Sequence, residues 1–187
     1  MKTWRIAFAI LAAFSLASCS SDSEEDGKEY QPAHRSAIFN RVKLLLTDTD
    51  GNDLGSQTEI ASSVRIYGNL SRQYASTESR TEDGMTYIMF NVDLPDERGI
   101  KYNEDKSIGT GTSTVTVTVD GKKACLTFAF ETTSTIGEKQ MLGGSAIHII
   151  GAKLGNKMVV NEENGGMVVV LMVDKDGLTL SDEVPIP

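Results

Sequence analysis

Two stretches of alternating residues, Thr114 to Val119 and Cys125 to Phe130, flank Asp120-Gly121 and constrain the chain more than any other feature. Thr114, Thr116 and Thr118 alternate with Val115, Val117 and Val119, the period of a strand with one wet face. Leu126, Phe128 and Phe130 alternate with Cys125, Thr127 and Ala129 on the way back. Two loop lengths keep the apolar side chains on one face. A two-residue turn sets Val119 opposite Lys122, whereas a four-residue turn from Asp120 to Lys123 sets Val119 opposite Ala124 and Val117 opposite Leu126. The longer loop pairs apolar with apolar throughout and is the one expected.

The same reading extends along the chain. Strands are expected at Ile38 to Thr47, Ser63 to Tyr67, Met85 to Leu94, Ser113 to Val119, Ala124 to Glu131, Ala146 to Ala152, Lys157 to Val160, Met167 to Val173 and Leu178 to Leu180. No stretch after Ala37 holds a helical apolar period for three turns. Asp48-Thr49-Asp50-Gly51 and Asp174-Lys175-Asp176-Gly177 share a turn chemistry and read as hairpin connections. Met167 to Val173 is apolar without alternation, which suits a central strand covered on both faces. Asn69 to Gly84 and Pro95 to Gly111 read as long polar loops. The expected fold is therefore one all-β domain over residues 37–187, an immunoglobulin-like or related antiparallel β-sandwich, with a lipocalin-like β-barrel as the alternative.

The first 36 residues have a different composition. Lys2 and Arg5 precede an apolar run, Ile6 to Leu16. A bilayer span takes about 20 residues, and this run is too short for one. Leu16, Ala17, Ser18 and Cys19 follow, and then Asp22, Glu24, Glu25 and Asp26 in a segment with almost no apolar residue. Leu16 to Cys19 resembles the lipobox of bacterial lipoproteins. By that resemblance residues 1–18 are a signal peptide, Leu16, Ala17 and Ser18 guide its cleavage, and Cys19 carries the lipid on an acylated amino terminus. The acidic cluster Asp22, Glu24, Glu25 and Asp26 resembles the export signal of Bacteroidota surface lipoproteins, which implies the outer membrane and its extracellular face. Residues 19–36 then form a flexible acidic tether.

Removing Lys2 and Arg5 with the signal leaves sixteen bases against twenty-six acids, a net charge of −10, which disfavours nucleic acid as a partner. His34 and His148 lie far apart, and no His/Cys spacing suits a metal, so neither a metal nor a cofactor is expected. Asp48, Asp50, Asn52 and Asp53 offer hard oxygens, but Gly51 stands at the fourth position of an EF-hand template, with only Glu59 matching at the twelfth. Cys125 is expected to be a packing residue, with no disulfide once Cys19 is lipidated. Trp4 leaves with the signal, so Tyr74 and Tyr102 are the candidate sugar platforms. No catalytic set stands out. The resemblance and these readings imply a lipid-anchored, non-enzymatic β-domain with a binding or structural role in the envelope, meeting envelope proteins or glycans. Alternatives are an enzyme acting on an envelope or dietary polysaccharide, or a lipocalin-like carrier of a small apolar ligand.

Overall fold

The computed structural model describes residues 29–134, 144–160, 162–163 and 166–181. The long alternating strands β8 (Ile108–Val119) and β9 (Lys122–Ser134) form its longest ladder. Val115, Val117 and Val119 face the interior beside Ala124, Leu126, Phe128 and Phe130. The connection is the two-residue turn: Val119 pairs with Lys122, Val117 with Ala124 and Val115 with Leu126, which corrects the expected four-residue loop. Asp120 and Gly121 both adopt positive φ, +46° and +76°. That is the mirror-image turn whose twist matches that of the strands. A register shift of two residues leaves every side chain on its face, so burial could not choose between the loops and turn geometry did.

Fourteen strands among the described residues build two sheets. The larger runs β1 (Ala37–Phe39), β10 (Ser145–Leu154), β9, β8, β3 (Arg65–Gly68), β4 (Gln73–Tyr74), with β11 (Lys157–Val159) on β10 and β7 (Lys101–Tyr102) on β8. The smaller runs β12 (Glu162–Glu163), β13 (Gly166–Val173), β2 (Arg41–Thr47), β6 (Met85–Asn91), β5 (Glu78–Glu82), with β14 (Leu178–Ser181) on β13. Among the described residues neither path closes on itself, and the architecture is an all-β arrangement of two packed sheets. Its sheets are mixed, which amends the antiparallel expectation: β1 runs parallel to β10, and β2 parallel to β13.

One core lies between the sheets. Val42, Leu44, Leu46, Ile88, Phe90, Val169 and Leu171 of the smaller sheet meet Val115, Val117, Leu126, Phe128, Ile147 and Ile149 of the larger. The single expected strand Ile38 to Thr47 is broken at Asn40, whose side-chain amide donates to the Val92 carbonyl at 2.6 Å, and the chain crosses there from one sheet to the other. Residues Met167 to Leu171 are buried on both faces, as the unalternating run required. The two long segments are not featureless loops. The first contains β4 and β5, the second a 3-10 turn (Glu97–Gly99) and β7. A six-residue helix, α1 (Thr58–Ser63), escapes a periodicity test because it spans under two turns.

The domain also begins earlier than expected. Glu29 to Ser36 are not free tether. Ala33 is only 2% exposed and its N–H donates to the Pro95 carbonyl, Glu97 N–H donates to the Gln31 carbonyl, and Ser36 N–H donates to the Ser145 carbonyl.

Candidate functional site

Two ends of the sandwich gather the polar chemistry. β8 runs from one to the other. At roughly 3.4 Å per residue its length separates them by about 40 Å. At the Ile108 end the docked segment Glu29–Ser36 is fastened by Arg35. Its side chain is 10% exposed, pairs with Glu97 at 3.3 Å, donates from Nε to the Thr132 hydroxyl and reaches the Tyr102 hydroxyl. Tyr102 in turn donates to Glu97 at 3.1 Å, and burial pushes its phenol pKa up. Tyr102 lies over the bare backbone of Gly109, where a Cβ would come within 2.8 Å of the ring. Beside this clamp Tyr30 donates to the Leu94 carbonyl at 2.9 Å. Burial first, then the charges of Asp93 and Asp96, pushes its pKa up to about 12. Asp96 caps the 3-10 turn and is bridged by Arg98 at 2.6 Å, whose hydrogen bond holds that carboxyl far below its usual range. Arg98 also donates to the Glu29 carbonyl.

At the Val119 end three Asp-Gly turns meet. In the first, the Asp48 carboxylate accepts the N–H groups of Asp50 and Asn52 at 2.9 and 2.8 Å and the Asn52 amide at 2.8 Å. The Asn52 amide is the largest cause of its lowered pKa. In the third, the Asp174 carboxylate accepts the N–H groups of Asp176 and Gly177 at 2.7 and 2.8 Å. The shared chemistry read from the sequence is present in both, each carboxylate closing its own turn. Of these two, only the third turn is a true hairpin, joining β13 to β14. The first makes one bridge, Thr47 to Asp53, and then leads through Leu54 to α1, so β2 takes its ladder partners from β6 and β13 instead. α1 ties in the middle turn, where Asp120 N–H donates to the Ser63 hydroxyl at 2.9 Å. Thr49, Lys122, Val173, Asp174, Lys175 and Asp176 line an open depression of about 550 Å³ between these turns.

The other residues singled out from the sequence are dispersed. Among the described residues no three His, Cys, Asp or Glu side chains form a metal-holding group. Asp53 is a pin for β6, accepting from Gly55 and Thr86 N–H groups at 2.7 and 2.8 Å, and Glu59 lies in the first turn of α1. His148 stands on β10 opposite Glu131, 3.8 Å away. Tyr74 is 70% exposed and packs edge-on against Tyr67, while Tyr102 belongs to the Arg35 clamp. Cys125 sits half-buried on the outward face of β9, opposite Thr116 of β8. Cys19, Leu16, Ala17, Ser18, Asp22, Glu24, Glu25 and Asp26 lie outside the described residues. The sequence reading missed the Arg35–Glu97–Tyr102–Thr132 clamp entirely, because Arg35 reaches partners 62 to 97 positions away along the chain. No protein-family model, curated protein or solved structure matches this chain.

Proposed function

We propose that this protein is a lipoprotein whose β-sandwich is held at the outer membrane by Cys19 and displayed on the extracellular face, where it serves a non-enzymatic binding or structural role. The observation that carries the reading is the position of Cys19 at the end of a short apolar run, ten residues before Glu29, the first residue docked on the domain. Ten residues reach at most about 35 Å when fully extended. The Arg35 end is therefore kept near the bilayer, and the end with the three Asp-Gly turns is the one free to project furthest from it. That end offers both signs of charge, Lys122 and Lys175 beside Asp174 and Asp176, around a shallow depression, a form suited to a polar protein or glycan partner.

The anchor and the cysteine chemistry can be tested together. Cys19 and Cys125 are the two cysteines of the chain, so a thioether to lipid and a disulfide at Cys19 exclude each other in one molecule. Mass spectrometry of the protein taken from membranes should find an amino-terminal peptide that begins at Cys19 and carries diacylglycerol. Cys19→Ala should abolish that mass and release or mislocalise the protein, and protease added to intact cells should cut the wild type. An unprocessed amino terminus, or Cys19 recovered in a disulfide, would reject the anchor. A lipidated protein that resists external protease would reject display alone.

A further inference from the structure

The smaller sheet ends in an open edge. Its order stops at β5, and among the described residues no strand lies beyond it. The hydrogen-bond phase of β6 shows which backbone groups that edge presents. Val92 N–H, just past β6, donates to the Asn40 carbonyl, and Thr86 N–H donates to the Asp53 carboxylate at 2.8 Å, so the even-numbered residues turn away from β5. Met85, Tyr87 and Met89 therefore make the bonds to β5, through Glu82, Arg80 and Glu78. The hydroxyls of Thr81 and Thr86 stand 3.2 Å apart, as suits the closer, unbonded kind of pair. Ser79 and Thr81 thus point their N–H and C=O groups outward, and both residues are exposed. Edges of this kind are ordinarily blunted by lysine, proline, a bulge or brevity. β5 has five residues in unbroken register and neither lysine nor proline.

Its charges fit a second copy of the same strand. Glu78, Arg80 and Glu82 share the outer face of the sheet, with Arg41 3.0 Å from Glu78 and Lys43 2.6 Å from Glu82. We propose that two copies pair antiparallel through β5 about a two-fold axis at Ser79. That register makes hydrogen-bonded pairs of Ser79 with Ser79 and of Thr81 with Thr77, and it sets Glu78 against Arg80 twice. Opposite charges directly across an antiparallel pair are favourable, and like charges are not. Centring on Arg80 instead would oppose Arg80 to Arg80 and Glu78 to Glu82. Centring on Thr81 would run Ser79 into the turn at Asp83 and Gly84, whose positive φ values, +50° and +78°, end the strand. Charge and turn together leave one register.

The pairing also has a direction. β5 runs parallel to β2, which starts at the Arg35 end and finishes at the first Asp-Gly turn. The two-fold axis therefore points the Arg35 ends of the two copies opposite ways. On the anchor reading proposed above, the second copy's Arg35 end would stand about 40 Å further from the bilayer, beyond the roughly 35 Å that Cys19 can reach. Two copies on facing membranes meet no such conflict. The seam is thus a contact between like molecules that bridges two membranes. It is small against a standard interface of about 1,200–2,000 Å², and many anchored copies supply the avidity that one pair lacks.

Sedimentation of the full chain in detergent tests the seam, and clustering of phosphatidylcholine vesicles that carry it tests the bridge. The wild type should form dimers at concentrations up to about 1 mM. Ser79→Pro removes an N–H that β6 does not use, so the thermal midpoint should be retained while dimerisation weakens about tenfold or more. Arg80→Glu should weaken it as much, and Glu78→Arg combined with Arg80→Glu in one chain should restore it. A wild type that stays monomeric, or dimers indifferent to both single substitutions, would overturn the pairing. Light scattering should show wild-type vesicles clustering and Ser79→Pro vesicles staying apart. Dimers in detergent without clustering of the vesicles would overturn the bridge. An unlipidated Cys19 would overturn the anchor and the bridge with it, while sedimentation still decides the pairing.

Discussion

The two ends of the sandwich are built by opposite means. At the Val119 end the first and third turns are each closed by their own aspartate, with Asp48 and Asp174 accepting N–H groups two to four residues away. At the Ile108 end the fastening comes from far along the chain, since Arg35 joins residues 62 to 97 positions away and Tyr30 bonds to Leu94. Local turns constrain only themselves, whereas a long-range clamp makes the stability of that end depend on the whole domain being folded. The end nearest the proposed anchor is thus the cooperative one, and the projecting end is a set of independent parts.

Three experiments can break or sharpen that contrast. The largest effect is expected from Arg35→Ala, which takes from Glu97 its cation and from the Thr132 hydroxyl its donor. It should cost about 2 kcal/mol in chemical denaturation, less than for a fully buried pair because Glu97 keeps part of its surface wet. Hydrogen exchange should quicken throughout residues 29–36 in that variant. Gly121→Ala comes next, at about 1 kcal/mol, because a positive φ strains any L side chain. Its φ is +76°, and nothing lies within 4 Å of the added Cβ, so the strain is the whole effect. A larger loss from Gly121→Ala than from Arg35→Ala would invert the comparison.

The smallest effect is a pH dependence confined to the docked segment. Tyr30 is held protonated, so its contribution is complete below its ordinary pKa of 10.0 and is lost as pH rises through about 12. Asp96 has the opposite sign: its contribution is present above the ordinary carboxylate pKa of 3.8 and fades as pH falls below it. Spectrophotometric titration should show a final tyrosine step near 12, and Tyr30→Phe should remove that step. Coincident titration of all the tyrosines would show that the docked segment does not shield Tyr30.

This contrast also separates what was legible in the sequence from what was not. Period-two alternation located β8 and β9 because each has one wet face, and the unbroken run Met167 to Val173 announced a strand covered twice. β5 has no such signature. Its residues Glu78–Glu82 form a polar edge strand, held by cross-strand pairs such as Arg41 with Glu78 and Lys43 with Glu82. The hairpin loop is misread when apolar matching is weighed above the positive φ that Asp-Gly supplies. The turns of the Val119 end were readable from four residues each, while the Arg35 clamp is a tertiary fact that no window of sequence contains.

The break at Asn40 has a kinetic meaning. Because β1 and β2 belong to different sheets, the chain's first strands need partners in both, and β1 finds β10 and β2 finds β13 more than a hundred residues later. β2 can pair with β6 once Asn91 has emerged, but its second neighbour β13 and the partner of β1, β10, both lie beyond residue 144. A nascent chain must therefore carry Ala37–Phe39 unpaired, and one edge of Arg41–Thr47 open, until β10 and β13 have been delivered. Non-local topology of this kind slows folding. The sandwich should therefore close late, when β10 and β13 arrive to complete the two sheets.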